Sequence, residues 1–364
     1  MRKIMFLAAF VVVLMGFCFS NALAAEQPDT SMKLSLKEAI DMAAKNNTGI
    51  KIQKEVTEQA KDKRESAVKD VKNFTPDGGA SPEIEAAYSS LLQADLSYNM
   101  QRKEIENQTD ELTLNVYGKY MEIRSLEEKT KALQKTMEEM EWKKNTARVQ
   151  LGVGVMATTS MVGVDAELQQ AQSDLASVKD EIDKAYVELN KYLGLNPEDR
   201  PELTDSIPYE PMEVDDVDFD AERAVNNSID IWQALQKITL ERKDLLMVNN
   251  DYKVEKHDID IAEMNMTQAK DELRKQVHLL YHDINTMQES IKAVEQGIQS
   301  AKEALRVKNV EFEVGMASKG DVLTAEKNLA NAEKSLVELK YNHAVAVANY
   351  RNFIGRSILP NEKA

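Results

Sequence analysis

Two histidines four residues apart, His278 and His282, put two imidazoles on one face of a helix. This is the spacing in the chain that comes nearest to a metal site. Leu279 follows His278, so the pair is not the zinc-protease motif. The flanking turns offer Arg274 and Thr286 in place of a third ligand. A zinc site generally takes at least three protein ligands, so both histidines read as exposed or structural. His343 falls on an apolar seam and reads as a polar core residue or a register device. The 17 methionines read as adaptable packing. There is no phosphate loop, nucleophile motif or catalytic carboxylate pair, so the sequence points to no cofactor and no enzyme. Thiol chemistry is excluded too, because the one cysteine, Cys18, lies in an N-terminal apolar segment.

That segment reads as a secretory signal over residues 1–24. Arg2 and Lys3 supply its charge, Phe6–Phe17 its apolar run, and Ala22-Leu23-Ala24 a small-x-small cleavage site. The apolar run is short for a span, which needs about 20 residues. Phe17 is too bulky for a lipid-attachment site at Cys18. Across 364 residues there are 13 Gly and 8 Pro, with Ala, Glu, Lys and Leu abundant, which is the composition of long helices. The net charge of −16 repels phosphate backbones and excludes nucleic acid as a partner.

The elements follow from caps and periodicity. Ser35-Leu36-Lys37-Glu38 is a capping box that opens a helix running to about residue 71. Residues 73–82 hold two prolines and two glycines and break the chain. A helix of roughly 68 residues, about 100 Å long, follows to residue 150. Gly152 and Gly154 turn the chain into a helix from Thr158 to Leu193, ended by Gly194. The pattern Gly154–Gly194 recurs 161 residues later as Gly315–Gly355, and Asn46-Asn47-Thr48 recurs 180 residues later as Asn226-Asn227-Ser228. The first copy thus holds 180 − 161 = 19 extra residues, which the Pro/Gly break is expected to supply. The chain therefore reads as a first helical repeat over 25–195, a Pro/Asp-rich linker over 196–220, a second repeat over 221–355 and a tail over 356–364. Apolar positions alternate in steps of three and four along the seams, as in coiled coils. The fold class is all-α, with duplicated long-helix coiled-coil hairpins. Lys119 and Thr130 interrupt the stripe of the first long helix. Two shorter helices stacked in line match one long helix, so the chain presents four helices at any height. So narrow a wall encloses little core. With Ala166, Ala171 and Ala176 on a second face, this implies a homo-oligomer closed by rotation.

The duplicated turn-plus-helix stretches carry a resemblance. Val314-Gly315-Met316-Ala317-Ser318-Lys319-Gly320-Asp321-Val322-Leu323, then Ala325, Leu329 and Ala332, and finally Tyr350 to Gly355, resemble the TolC family of outer-membrane efflux proteins. Asn46-Asn47 and the duplicated layout fit as well. The resemblance implies an exported subunit of an efflux or secretion conduit in the cell envelope. It implies a homotrimer whose helices form a hollow cylinder, with a periplasmic adaptor protein and an inner-membrane pump as partners. The helix-turn-helix tips would meet the adaptor through Gly152, Gly154, Ser160, Gly315, Ser318, Asp321, Val322 and Leu323. Asp321 matches an acidic position of the family's tip, whereas Ser160 and Thr324 depart from it. The family also inserts two strands between the first and second helices of each unit. A spanning strand needs about 9–11 alternating residues. The break at 73–82 is too short for two, and Asn249-Asn250-Asp251 is at most a turn. The chain is therefore expected to lack a β-barrel. The other reading is a non-transporting coiled-coil spacer or envelope tether.

Overall fold

A computed structural model describes residues 32–73, 82–247 and 252–358. The expected signal segment, most of the 73–82 break, Asn249 to Asp251 and Pro360 lie outside the described residues. The described chain is helical, apart from two two-residue strands. Strand β1 (Lys33–Leu34) is followed by α1 (Leu36–Asn46), α2 (Thr48–Lys72), α3 (Pro82–Gly152) and α4 (Thr158–Leu193). Then come β2 (Glu202–Leu203), α5 (Val217–Asn227), α6 (Ile229–Met247), α7 (Tyr252–Glu313) and α8 (Lys319–Phe353). The all-α coiled-coil architecture is thus as read from periodicity.

The helix expected over 35–71 is two helices. Ser35 opens α1 with its capping box. Asn47 then takes an extended conformation (φ −58°, ψ 121°), and its side chain accepts from Ile50 N at 3.1 Å, which caps α2. A residue that ends one helix and caps the next makes a joint inside an unbroken apolar pattern. The second repeat has the same joint. Ser228 is extended and its Oγ accepts from Ile231 N at 3.3 Å.

This joint corrects the internal register. Ser35 and Asp216 cap α1 and α5, each of 11 residues. The structural offset there is 216 − 35 = 181, one more than the Asn-Asn alignment gives. Asn46 and Asn227 are therefore the true counterparts. Asn46 Nδ2 donates to Leu193 O at 2.8 Å beside Gly194, and Asn227 packs on Gly355. Both glycines have positive φ, 73° and 64°. A Cβ on them would come within 3.0 Å of Asn46 or 2.8 Å of Asn227. Nor does the Pro/Gly break alone hold the extra residues of the first repeat. Helix α2 has 25 residues against 19 in α6, and α3 begins nine residues earlier than α7 at the 161 offset (252 − 161 = 91, against 82).

The helices lie side by side as a wall of four columns. Stacked α1–α2 and α4 form the first column against α3. Stacked α5–α6 and α8 form the third against α7, and α3 joins the halves through α8 and α6. Helix α3 has 71 residues and α7 has 62. The larger core gathers at mid-height around Leu34, Val116, Tyr120, Ile123, Leu189 and Leu193, and a second surrounds Val277, Ile284 and Tyr350. The linker straps this region. Strand β2 pairs in parallel with β1 (Lys33 with Glu202, Leu34 with Leu203). Tyr120 Oη donates to Leu34 O at 2.8 Å and accepts from Asp205 N at 2.9 Å. In the second core, Tyr350 Oη donates to buried Asp220 Oδ2 at 3.0 Å. Burial, followed by that anionic acceptor, raises the Tyr350 phenol above its ordinary value.

Candidate functional site: two tips and the seam beside them

Each long helix ends in the same turn. In the first tip Gly154 N donates to Leu151 O at 3.1 Å and Val155 N to Gln150 O at 2.9 Å. In the second, Gly315 N donates to Phe312 O at 3.0 Å and Met316 N to Glu311 O at 2.7 Å. These pairs form a Schellman closure, which puts its C′ residue in the left-handed region. Gly154 and Gly315 occupy it, with φ 74° and 79°. Gly152 is the last residue of α3 and meets nothing where a Cβ would be, so the turn makes no demand on it. The turns display Val153 and Val155 in one tip, and Val314 and Met316 in the other; Met316 is 81% exposed.

The tips differ in how the next helix starts. Ser318 Oγ accepts from Asp321 N at 3.2 Å, while Asp321 Oδ2 accepts from Ser318 N at 2.8 Å and from Ser318 Oγ at 2.7 Å. These hydrogen bonds, the side-chain one first, hold the exposed Asp321 carboxyl below its ordinary value. Asp321 is therefore committed to a capping box. Helix α4 starts on Ala157 without a side-chain cap, and Ser160 is exposed in its first turn. Val322 and Leu323 are buried, so they hold the tip together from within.

Sequence reasoning passed over two residues that fasten the second tip. A Cβ on Gly320 would lie 2.2 Å from Trp142 Cζ3, so the indole of α3 is seated directly on the α8 backbone. One turn away, Glu139 is 1% exposed. It accepts from Thr324 Oγ1 at 2.8 Å and pairs with Lys327 at 2.7 Å and Lys143 at 3.3 Å. Burial pushes its carboxyl up, but Lys327, Thr324 and Lys143 together outweigh that and hold it below the ordinary glutamate value. Glu139 sits among many glutamates of α3 and has no distinguishing spacing. The available signal was that the second repeat has Ser300 and Glu303 where the first has Glu139 and Trp142. The two residues that interrupted the α3 stripe also have partners. Lys119 bridges Glu122 and Glu188, and Thr130 Oγ1 donates to Leu126 O.

The histidines separate into two environments. His343 is 1% exposed, and its Nε2 has no hydrogen-bond partner among the described residues. Its ring meets Tyr209 of the linker edge-on at 5.1 Å, and burial lowers its pKa. His278 Nε2 lies 3.0 Å from Asp218 Oδ1 of α5, and His282 is exposed one turn further along α7. Among the described residues no three His, Cys, Asp or Glu side chains of one chain group around a point. No described helix is long and apolar enough to cross a membrane.

Residues 220–356 match the family model described as outer membrane efflux protein. The chain is 32% identical over 94 residues to outer membrane protein TolC of Vibrio cholerae, a match covering 26% of this chain and 22% of that protein. It is 28% identical over 109 residues to outer membrane protein TolC of Escherichia coli, covering 30% of this chain and 22% of that protein. The matched part thus spans 22% of the length of each of these relatives. The fold is similar to that of the CmeC outer membrane channel of Campylobacter jejuni, with a TM-score of 0.61 at 14% identity over 90% of this chain and 87% of that one. The resemblance read from the duplicated tips therefore stands: this is a TolC-like chain, whose second repeat carries the sequence pattern of the outer membrane efflux proteins and whose helical body has the fold of their channels.

Proposed function

We propose that residues 25–195 and 221–355 are two copies of one module in the protomer of an exported, envelope-located efflux or secretion conduit. Three protomers close into a hollow α-helical cylinder, whose tips dock to a periplasmic adaptor linked to an inner-membrane pump. The chain acts by enclosing a path. The observation that carries this reading is the mismatch between like positions in the two repeats. Leu323 of α8 is 8% exposed, while its counterpart Val162 of α4 is 65% exposed. Ala348 of α8 is 1% exposed, and its counterpart Val187 is 41% exposed. Helix α8 lies against α3, whereas the matching face of α4 is open at one edge of the wall. Helix α7, the counterpart of α3, forms the other edge. A second copy can therefore repeat the α3–α8 contact as α7 against α4. Such a head-to-tail interface closes into a ring when the rotation allows.

Single-particle images of the purified protein test the ring: threefold particles with a central hole are expected, and a population of single wall-like protomers overturns it. The adaptor reading is tested by replacing Gly154 and Gly315 with residues that disfavour the left-handed turn. Adaptor binding and export should both fall; if both persist, the tips are not the docking site. A second reading, a non-transporting spacer or tether, is favoured by the short connections between α2 and α3 and between α6 and α7. Residues 73–81 and 248–251 leave no room for pairs of membrane-spanning strands. Deletion of the gene separates the two: increased accumulation of exported compounds supports the conduit, while altered envelope spacing with unchanged accumulation supports the tether.

A further inference from the structure

Helix α3 meets α8 along one stripe. Trp142 sits on Gly320, Glu139 on Thr324 and Lys327, and Lys135 pairs with Glu326. Tyr117 shares a small cavity with Ala344, Ala348 and Arg351. The pairing is antiparallel. Positions 139 with 324–327 and 117 with 348 fix the register, and Met121 falls between Tyr341 and Ala344.

The same stripe on α7, 161 residues on, is carried at the levels of Tyr117 and Met121 by His278 and His282. Tyr117 and Met121 are buried, whereas His282 is exposed and His278 half-exposed. The matching stripe on α4 replaces Tyr341 and Ala344 by Asp180 and Asp183. Both histidines therefore lie on one open edge of the wall, and both aspartates on the other. The proposed ring brings α7 of one copy against α4 of the next. His282 then stands between Asp180 and Asp183 of the adjacent copy, and His278, one turn away, is level with Val187, the counterpart of Ala348, so that Asp183 lies between the two histidines in height.

We propose that this seam holds a divalent transition metal ion of the zinc type, with His278 and His282 of one copy and Asp183, aided by Asp180, of the next as ligands. The single chain has two imidazoles at i and i+4 and lacks a third donor; the neighbouring copy supplies it. Imidazole and carboxylate together suit zinc and its neighbours better than calcium or magnesium, which take mainly oxygen. Asp218 Oδ1 lies 3.0 Å from His278 Nε2 and is placed to orient that ring, as carboxylates beside metal-bound histidines do, so His278 offers the metal its other nitrogen, Nδ1. In the chain alone Asp183 pairs with Arg200, at 3.0 Å, on an exposed surface. Such exposed pairs are weak and yield to a stronger partner. The metal would link copies, since neither edge holds enough donors by itself.

This inference rests on the ring proposed above, and one experiment separates the two. Sedimentation velocity of the full mature chain is run with zinc, with magnesium and with chelator. Zinc is expected to lower the protein concentration at half-assembly by about tenfold or more, as a ligand held only by the assembled state must. Magnesium should not. His282→Ala and Asp183→Asn lie on opposite edges, and each should remove the zinc response while leaving zinc-free assembly in place. Calorimetry on the assembled protein should give one zinc per protomer. Assembly that ignores zinc, or zinc held equally well by both variants, overturns the metal site and leaves the ring. Protomers that stay single under every condition overturn the ring and the seam with it.

Discussion

At the scale of single residues the second tip depends on a close contact and a buried charge. Gly320→Ala sets a methyl inside the Trp142 ring. Overpacking of this kind costs about 1–3 kcal/mol. Denaturant unfolding should show that loss, and Trp142→Leu should recover part of it. Glu139→Ala leaves Lys327 and Lys143 without their carboxylate. Both lysines keep partial access to water, so the loss should be about 1–3 kcal/mol rather than the larger figure for a fully buried pair. Two buried groups contribute to the response to acid. The folded-state pKa of His343 is depressed, so the unfolded chain takes up its proton first and stability falls as pH drops below the ordinary histidine value of 6.5. Glu139 is also depressed, and its contribution fades at lower pH, from the ordinary value of 4.5 down through its folded value. Thermal midpoints measured from pH 8 to 3 should show both steps, and His343→Ile should remove the upper one alone. Isoleucine is the residue the first repeat places there, as Ile182. The seam position of His343 was readable from periodicity. The depth of Glu139 was not, because a carboxylate on a long charged helix is buried only when another helix crosses it, and sequence spacing does not record the crossing.

Among the elements, helix ends with local chemistry were legible. The α4 span Thr158–Leu193 follows from its flanking turns, and the α8 start follows from Ser318 and Asp321. The joint at Asn47 was missed for a physical reason. The apolar pattern runs through it, and only the side chain folded back onto Ile50 N marks the break. Asn47→Ala should therefore cost about 1 kcal/mol, as other lost caps do. The left-handed turns offer a sharper contrast. Gly154→Ala and Gly315→Ala should each cost about 1–2 kcal/mol, the penalty for a Cβ in that region. Gly152→Ala, in a helix with open space around it, should be neutral or slightly stabilising. Equal losses at Gly152 and Gly154, read from thermal unfolding, would contradict this assignment of the turn.

For the whole molecule, the duplication set the architecture: two thin hairpins side by side leave one α7 edge and one α4 edge unpaired. Which faces of α4 are open was not legible from periodicity, because Val162 and Leu323 occupy like positions in the repeat. Only the presence of α3 beside one and not the other distinguishes them. A charge introduced on the apolar part of an edge should weaken assembly without unfolding the protomer. Val162→Glu is expected to shift the assembly midpoint to at least about tenfold higher protein concentration by sedimentation, with unchanged helicity by circular dichroism. For a ring of three protomers closed by three interfaces, that shift corresponds to about 2.7 kcal/mol in all, or about 0.9 kcal/mol per interface. The clasp between β1 and β2 bears on how such a chain is made. Every partner in it, from Leu34 through Tyr120 to Asp205, belongs to the N-terminal two-thirds of the sequence. A chain delivered start-first can fasten its opening segment to its midpoint while the remaining helices are still emerging, so the earlier hairpin is a finished template before the later one arrives to lie against it.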